Sequence, residues 1–114
     1  MSAQTLPPTP HCASIPADEM VENAQEAAQF LKALAHEGRL MILCHLSSGE
    51  KSVTELEHLL QSRQAAVSQQ LARLRAEGLV GCRRDGKAIH YSLTDPRTAR
   101  LIGVVHDLFC GPKG

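Results

Sequence analysis

Apolar residues recur at spacings of three and four between residues 53 and 76, which predicts two consecutive amphipathic helices. The first is expected from about Val53 to Gln61, because Ser52 and Glu55 have the spacing of a capping box at its start. Ser62 is a suitable cap for the second helix, whose apolar stripe is expected to face inward. That stripe consists of Val67, Leu71 and Leu74. The positions off the stripe are polar and are expected to face outward: Gln64, Ser68, Gln69, Arg73 and Arg75.

The pattern then changes from helical spacing to alternation. Gly78 ends the second helix, and two short alternating runs flank Asp85-Gly86, which predicts a β-hairpin. A two-residue loop at Asp85 and Gly86 places Val80 opposite Tyr91 and Cys82 opposite Ile89, so that these four share one buried face. The basic residues near the hairpin tip are then placed to meet phosphates: Arg83, Arg84 and Lys87.

Two helices followed by a charged hairpin form the outline of a winged helix-turn-helix, a DNA-reading unit. Amide and hydroxyl side chains can pair with base edges in the major groove, so Gln64, Ser68 and Gln69 are candidates for base reading. Arg73 is a further candidate for DNA contact. His90 points away from the buried hairpin face, and either DNA contact or simple solvent exposure is consistent with that position. For an isolated helix the polar set would merely be a solvated face, but the hairpin that follows favours DNA.

The flanking segments predict further helices, so the expected fold is mainly α with a small β-hairpin. Residues 1–17 contain four prolines and few large apolar groups, which indicates a flexible arm before a single domain at 18–114. Helices are expected at 18–35, at 37–47 and at 95–109, the last capped by Asp95 with Pro96 in its first turn. The first and last helices carry more apolar surface than a lone reading unit needs. We therefore expect a homodimer joined through both.

Charge and composition agree with this organisation. The formal net charge is zero, but residues 1–62 carry three Lys/Arg against eight Asp/Glu, whereas residues 63–97 carry seven against three. The positive excess thus lies on the proposed DNA-facing segment, where a local patch is sufficient for nucleic-acid binding. No apolar run approaches the ~20 residues of a membrane span, and no export signal is visible, so a cytoplasmic location without a membrane partner is expected.

Four stretches together resemble the signature of the ArsR/SmtB family of bacterial winged-helix repressors. They are residues 34–43 (LAHEGRLMIL), 67–74 (VSQQLARL), 77–80 (EGLV) and 86–91 (GKAIHY). The resemblance covers nearly everything after the arm. It implies a dimer that represses by occupying operator DNA, that releases the DNA when an inducer binds, and that is not an enzyme.

The resemblance also bears on the inducer. Metal-sensing members carry thiolates on the first reading helix or a carboxylate and histidine set on the last helix. Here the first site has no cysteine, and Arg97, Leu108 and Gly111 stand at expected ligand positions of the second, so neither inherited metal site fits and no cofactor is expected. Cys44 and Cys110 instead resemble the dithiol of the family's persulfide-responsive branch, in which the two cysteines become joined through sulfur and the protein leaves DNA.

Several alternatives remain open. Cys44 and Cys110 could be two unrelated buried cysteines, and a new metal or haem site across the dimer is the leading alternative inducer site. Cys12 lies in the arm, and Cys82 is expected to be a small apolar residue under the hairpin. A thiol oxidoreductase would place a CxxC motif near a helix start, and none is present. A helical interaction module without DNA would not require basic residues at the hairpin.

Overall fold

A computed structural model of the protein describes residues 15–61 and 64–111, with the backbone alone at positions 64 and 65. The described residues separate into two compact units, one ending at Lys32 and the other beginning at Ala33. The expected arm at 1–17 lies almost entirely outside the described residues, so its boundary stays a prediction. Within the described ranges, no helix is both long and apolar enough to cross a membrane.

Helix α1 spans Ala17–Leu34, within one residue of the expected bounds. Its first turn carries Asp18 and Glu19, and its last turn carries Lys32. Acidic groups at the start and a basic group at the end both complement the helix dipole, which favours a helix over this whole length. Val21 and Leu31 are exposed on it.

Helix α2 spans Glu37–Ser47, the range predicted from the sequence. His36 is its N-cap: the backbone N–H of Gly38 donates to His36 Nδ1 at 3.1 Å. The His36 ring thereby satisfies one of the amide groups that every helix start leaves unpaired.

Helices α3, Val53–Leu60, and α4, Gln64–Ala76, form the predicted helix-turn-helix. The capping box is present, with Glu55 N donating to Ser52 Oγ at 3.0 Å and Ser52 N donating to Glu55 Oε1 at 2.9 Å. Gln61 ends α3 in the left-handed region with φ of 51°. The predicted cap at Ser62 lies outside the described residues.

The core of the second unit is built from aliphatic side chains of several elements. Its fully buried large residues include Ile42, Leu43, Leu56, Leu71, Leu74 and Ile102. Each such side chain stabilises the fold by about 1.5–3 kcal/mol relative to exposure. Because α2 packs against α4 and against the last helix, its buried residues Ile42, Leu43 and Leu46 join the reading unit to the rest of the core.

A three-stranded antiparallel sheet replaces the simple hairpin expected from the sequence. Strands β1, Lys51–Ser52, β2, Val80–Asp85, and β3, Ala88–Leu93, pair in the order β1-β3-β2. The first strand was missed, because two residues show no alternation. It pairs with β3 through Lys51 and Tyr91 and through Ser52 and His90.

The predicted hairpin register was wrong by two residues. Val80 lies opposite Leu93 rather than Tyr91, and Cys82 lies opposite Tyr91 rather than Ile89. The ladder extends to a pair between Asp85 and Ala88, so the loop is Gly86-Lys87, with a positive φ at its first residue. A two-residue shift keeps every side chain on its original face. Val80 is buried as expected, whereas Cys82, Ile89 and Tyr91 are only half-buried.

Helix α5 spans Pro96–Cys110 and begins as predicted. The Asp95 carboxylate accepts the backbone N–H of Arg97 at 2.8 Å, and Pro96 occupies the first helical turn. Thr98 and Ile102 are buried. The described residues thus contain five helices and a small sheet, which confirms the winged helix-turn-helix fold.

Candidate DNA-binding surface and dithiol site

The outward face of α4 carries most of the predicted base-reading residues. Val67, Leu71 and Leu74 are buried, as the apolar stripe predicted. Gln69 and Arg73 on the other side are exposed, and Ser68 is half-buried. The side chain of Gln64 lies outside the described residues. The amide, hydroxyl and guanidinium groups on this face are of the types that pair with base edges and phosphates.

The end of α4 fixes where the hairpin starts. Gly78 N donates to Arg75 O at 2.9 Å and Leu79 N donates to Leu74 O at 3.0 Å, which is the hydrogen-bond pattern of a Schellman motif. Gly78 has a φ of 78°, a conformation that glycine adopts without a Cβ penalty. Leu79 and Val80 are buried directly after it. The hairpin therefore leaves the core at a defined angle from α4.

The basic residues of the hairpin differ in their surroundings. Arg83, Arg84 and Lys87 are all exposed, as predicted. Arg83, however, donates from Nε and Nη2 to the two carboxylate oxygens of Glu50, at 2.8 and 2.6 Å. His90 is half-buried and lies opposite Arg83 in the ladder.

The two candidate sensing thiols lie on helices that pack together. Cys44 is half-buried on α2, and Cys110 is the exposed last residue of α5. Both are free thiols. Burial raises the pKa of the Cys44 thiol above its ordinary range, and negative charge on Cys110 raises it further. The Cys110 thiol therefore lies close enough to Cys44 to affect its pKa.

The chain turns away from α5 immediately after Cys110. A Cβ at Gly111 would collide with the carbonyl oxygen of Asp107, so the backbone geometry at this position requires glycine. His106, one turn before Cys110, lies with its Nδ1 3.9 Å from Asp107 Oδ1.

Metal-ligating side chains do not cluster in the part of the chain that the structure describes. No group of three or more His, Cys, Asp or Glu residues comes together there. Asp95, the cap of α5, accepts hydrogen bonds from the backbone and side chain of Arg97. Cys82 lies opposite Tyr91 in the sheet. Cys12 lies outside the described residues.

Glu50 is the residue near the candidate DNA surface that the sequence pattern did not single out. It precedes β1 and contacts a residue 33 positions later. No local motif announces such a pair, because it depends on the order of the strands. The alternation of β2 alone predicts an outward Arg83 but not its partner.

Comparison with known proteins places this arrangement in a family. The model of the bacterial regulatory protein arsR family matches residues 36–81. A biofilm growth-associated repressor of Agrobacterium fabrum is 48% identical over 99 residues, covering 87% of this chain and 85% of that protein. The transcriptional activator HlyU of Vibrio cholerae is 42% identical over 92 residues, covering 81% and 85%.

A solved structure agrees with these relatives. The transcriptional repressor BigR from Xylella fastidiosa superposes with a TM-score of 0.78 at 41% identity, covering 86% of this chain and 100% of that one. These proteins are regulators rather than enzymes, as expected, and they confirm the predicted family and its BigR-like group. The chain belongs to the arsR family of bacterial regulatory proteins.

Proposed function

We propose that this protein is a homodimeric, dithiol-controlled transcriptional repressor. In its reduced form it binds operator DNA, and it releases the DNA when persulfide or polysulfide sulfur bridges Cys44 and Cys110. The observation that carries the proposal is the packing of α2 against α5, which places the Cys110 thiol near enough to raise the pKa of Cys44. The named repressors among its relatives support the repressing role.

The DNA-binding part rests on α4 and the hairpin. Gln69 and Arg73 face solvent on one side of a helix whose other side is buried. With Gln64 and Ser68, they are proposed to enter the major groove, while Arg84, Lys87 and His90 on the hairpin meet the backbone. Two such units in a dimer would read two half-sites. Replacing Gln64, Ser68 and Gln69 together should abolish sequence preference while leaving affinity for unrelated duplexes intact.

The bridging chemistry requires sulfane sulfur as both bridge and oxidant. The Cys44 thiolate attacks the terminal sulfur of one persulfide RSSH, which forms a cysteine persulfide and releases RSH. That persulfide attacks the inner sulfur of a second RSSH and expels H2S, and Cys110 then displaces RSH to close a trisulfide. Two thiols and two RSSH thus yield one trisulfide, two RSH and one H2S.

The length of the bridge gives a basis for selectivity. A direct disulfide requires Cα atoms about 4.4–6.8 Å apart, and each added sulfur extends the reach by about 2 Å. Thiols held beyond disulfide distance would respond poorly to peroxide and well to polysulfide. Both cysteines are free in the structure.

The path from bridge to DNA is short. Cys44 follows the buried residues Ile42 and Leu43, and α2 packs against both α4 and α5. A covalent link to Cys110 would pull on α2 next to its contact with α4. A small shift of α4 changes the distance between the two reading helices of a dimer, and half-site spacing tolerates little change.

Cysteine variants test the proposal with gel shift and a promoter reporter. Cys44→Ser and Cys110→Ser should bind operator and stay bound after polysulfide treatment, whereas Cys82→Ser and Cys12→Ser should release like wild type. Polysulfide treatment should lower the operator affinity of the wild-type protein about 5- to 150-fold. The dithiol hypothesis is wrong if Cys44→Ser releases operator DNA fully after polysulfide treatment, or if zinc releases the wild-type protein and polysulfide does not. A metal-responsive site would then take its place. One relative, HlyU, is named an activator. If reporter expression falls when the protein is deleted, the protein activates transcription rather than repressing it.

A further inference from the structure

One face of the small sheet carries a row of polar side chains from all three strands. Ser52, His90 and Arg83 are successive partners across β1, β3 and β2. Directly opposed residues point to the same side of an antiparallel sheet, so these three share a face. Cys82 and Tyr91 alternate with them and lie on the other face. Glu50 approaches the polar face from the residue before β1.

The contact between Glu50 and Arg83 has the geometry of a strong ion pair. Two separate N–H donors of Arg83 meet the two oxygens of Glu50, at 2.8 and 2.6 Å. Such two-point contacts between guanidinium and carboxylate are the best-defined class of surface ion pair. The hydrogen bond from Arg83 holds the pKa of the Glu50 carboxyl below its usual range, so Glu50 is ionised at neutral pH. The pair therefore contributes no net charge to the hairpin.

The other two basic residues of the hairpin have different surroundings. Among the described residues, no carboxylate lies within salt-bridge distance of Arg84 or Lys87. Arg84 shares the Cys82 side of the sheet, and Lys87 is the second loop residue. Their charges remain available to a polyanion, whereas the charge of Arg83 is already matched.

We infer that Glu50 is a determinant of DNA specificity, because it withholds the charge of Arg83 from the phosphate backbone. Arg83 is then a positioning residue that links β2 to the residue before β1, and Arg84 and Lys87 carry the unmatched positive charge of the hairpin to the phosphates. The sequence-independent part of DNA affinity grows with each phosphate that the protein neutralises. The ion pair between Glu50 and Arg83 therefore limits that part of the affinity. This inference rests on the DNA-binding part of the proposed function and not on the dithiol.

Single and double variants of Glu50 and Arg83 test this inference. Their affinities for operator and for unrelated duplexes are measured by fluorescence anisotropy at a series of salt concentrations. Glu50→Gln should tighten binding to unrelated duplex and steepen the slope of log K against log salt by about 0.9, the value for one added phosphate contact. Arg83→Gln should weaken binding about fivefold, because it leaves an unmatched carboxylate near the phosphates. The double variant Glu50→Gln with Arg83→Gln should return to wild-type affinity and slope.

The exchanged pair, Glu50→Arg with Arg83→Glu, provides the rescue. It should restore wild-type binding, since the pair is neutral in either orientation. Glu22→Gln, an exposed glutamate of α1, is the matched control for loss of one negative charge and should change neither slope nor unfolding temperature.

The contrary outcomes are distinct. If Arg83 itself contacts phosphate, the double variant will be as weak as Arg83→Gln, with a slope about 0.9 shallower than wild type, and Glu50→Gln will leave the slope unchanged. That result would overturn this inference alone. Failure of the wild-type protein to bind any duplex would overturn the proposed function together with it.

Discussion

The two halves of α5 lie in different environments. In the first half, Thr98 and Ile102 are 0% and 1% exposed, and the helix is fixed to the core of the second unit. In the last turn, Leu108 and Phe109 are 72% and 79% exposed, and Cys110 follows them. The helix is thus anchored at its start and presents uncovered apolar surface at its end.

This difference suits the two roles proposed for α5, dimerisation and sensing. Large exposed apolar side chains are costly unless a partner covers them, so the last turn is suited to a second copy. In the anchored half, Thr98 and Ile102 are already covered by the core of the same chain. A thiol at the apolar end is placed where the proposed bridge to Cys44 would draw this end of α5 toward α2.

The largest expected effect comes from the anchored half. Ile102→Ala should lower the free energy of unfolding by about 2–5 kcal/mol, because it leaves a cavity in a closely packed core. Val104→Ala, at a half-exposed position of the same helix, is the control and should cost less than 1 kcal/mol. Urea unfolding followed by circular dichroism measures both. Equal losses in the two variants would contradict the difference between buried and exposed positions.

The next effect concerns the exposed turn. Changing Leu108 and Phe109 together to Asp should weaken the homodimer at least tenfold, because two charges enter an apolar interface, while the monomer keeps its helical content. Analytical ultracentrifugation across a concentration range gives the dissociation constant. Leu59→Asp, on an exposed position of α3, should leave dimerisation unchanged. A dimer unaffected by the double change would place the interface elsewhere.

A smaller effect is expected at Asp95, the residue that caps the start of α5. Asp95→Ala should cost about 0.5–2 kcal/mol by removing the cap of α5. The hydrogen bond from Arg97 holds the pKa of the Asp95 carboxyl below its usual range. Its contribution is therefore complete above about pH 4 and is lost as the pH falls through the lowered value.

Thermal unfolding of wild type and Asp95→Ala at several pH values measures that contribution. Asp107→Ala, in the last turn where a negative charge opposes the helix dipole, should be neutral or slightly stabilising. The difference in unfolding temperature between wild type and Asp95→Ala should shrink as the pH falls below about 4. A difference that grows there would contradict the prediction.

The smallest expected effect distinguishes the two thiols. Iodoacetamide should modify exposed Cys110 before half-buried Cys44, and the Cys44 rate should keep rising as the pH increases through its raised pKa. In Cys110→Ser the rise should begin at slightly lower pH, because burial remains the larger cause and only the smaller charge effect is removed. Peptide mass spectrometry measures both rates, with urea-unfolded protein as the control in which the two thiols react alike.

Helix positions were accessible from the sequence because local signals mark them. The Ser52 and Glu55 pair, the glycine at 78 and the Asp95-Pro96 step each act within a few residues, and all three lie where the structure has helix ends. The sheet register was not accessible in this way. A two-residue shift leaves the apolar face unchanged, so the alternation alone did not choose between a loop at Asp85-Gly86 and one at Gly86-Lys87.

The candidate site also has one part that local sequence signals predict and one part that only the tertiary structure reveals. The residue types on α4 and the cysteine positions follow from spacing and family resemblance. The pairing of Arg83 with Glu50 follows from strand order, and β1 is only two residues long. Contacts that tertiary structure creates between distant segments leave no local pattern to recognise.

One titration tests the central claim most directly. Reduced wild-type protein bound to operator DNA is treated with increasing inorganic polysulfide, and each sample is divided between intact mass spectrometry and anisotropy. The account predicts that the fraction of chains with Cys44 joined to Cys110 through added sulfur equals the fraction of DNA released. Fully bridged protein that retains operator affinity, or release from chains that carry no bridge, would contradict it.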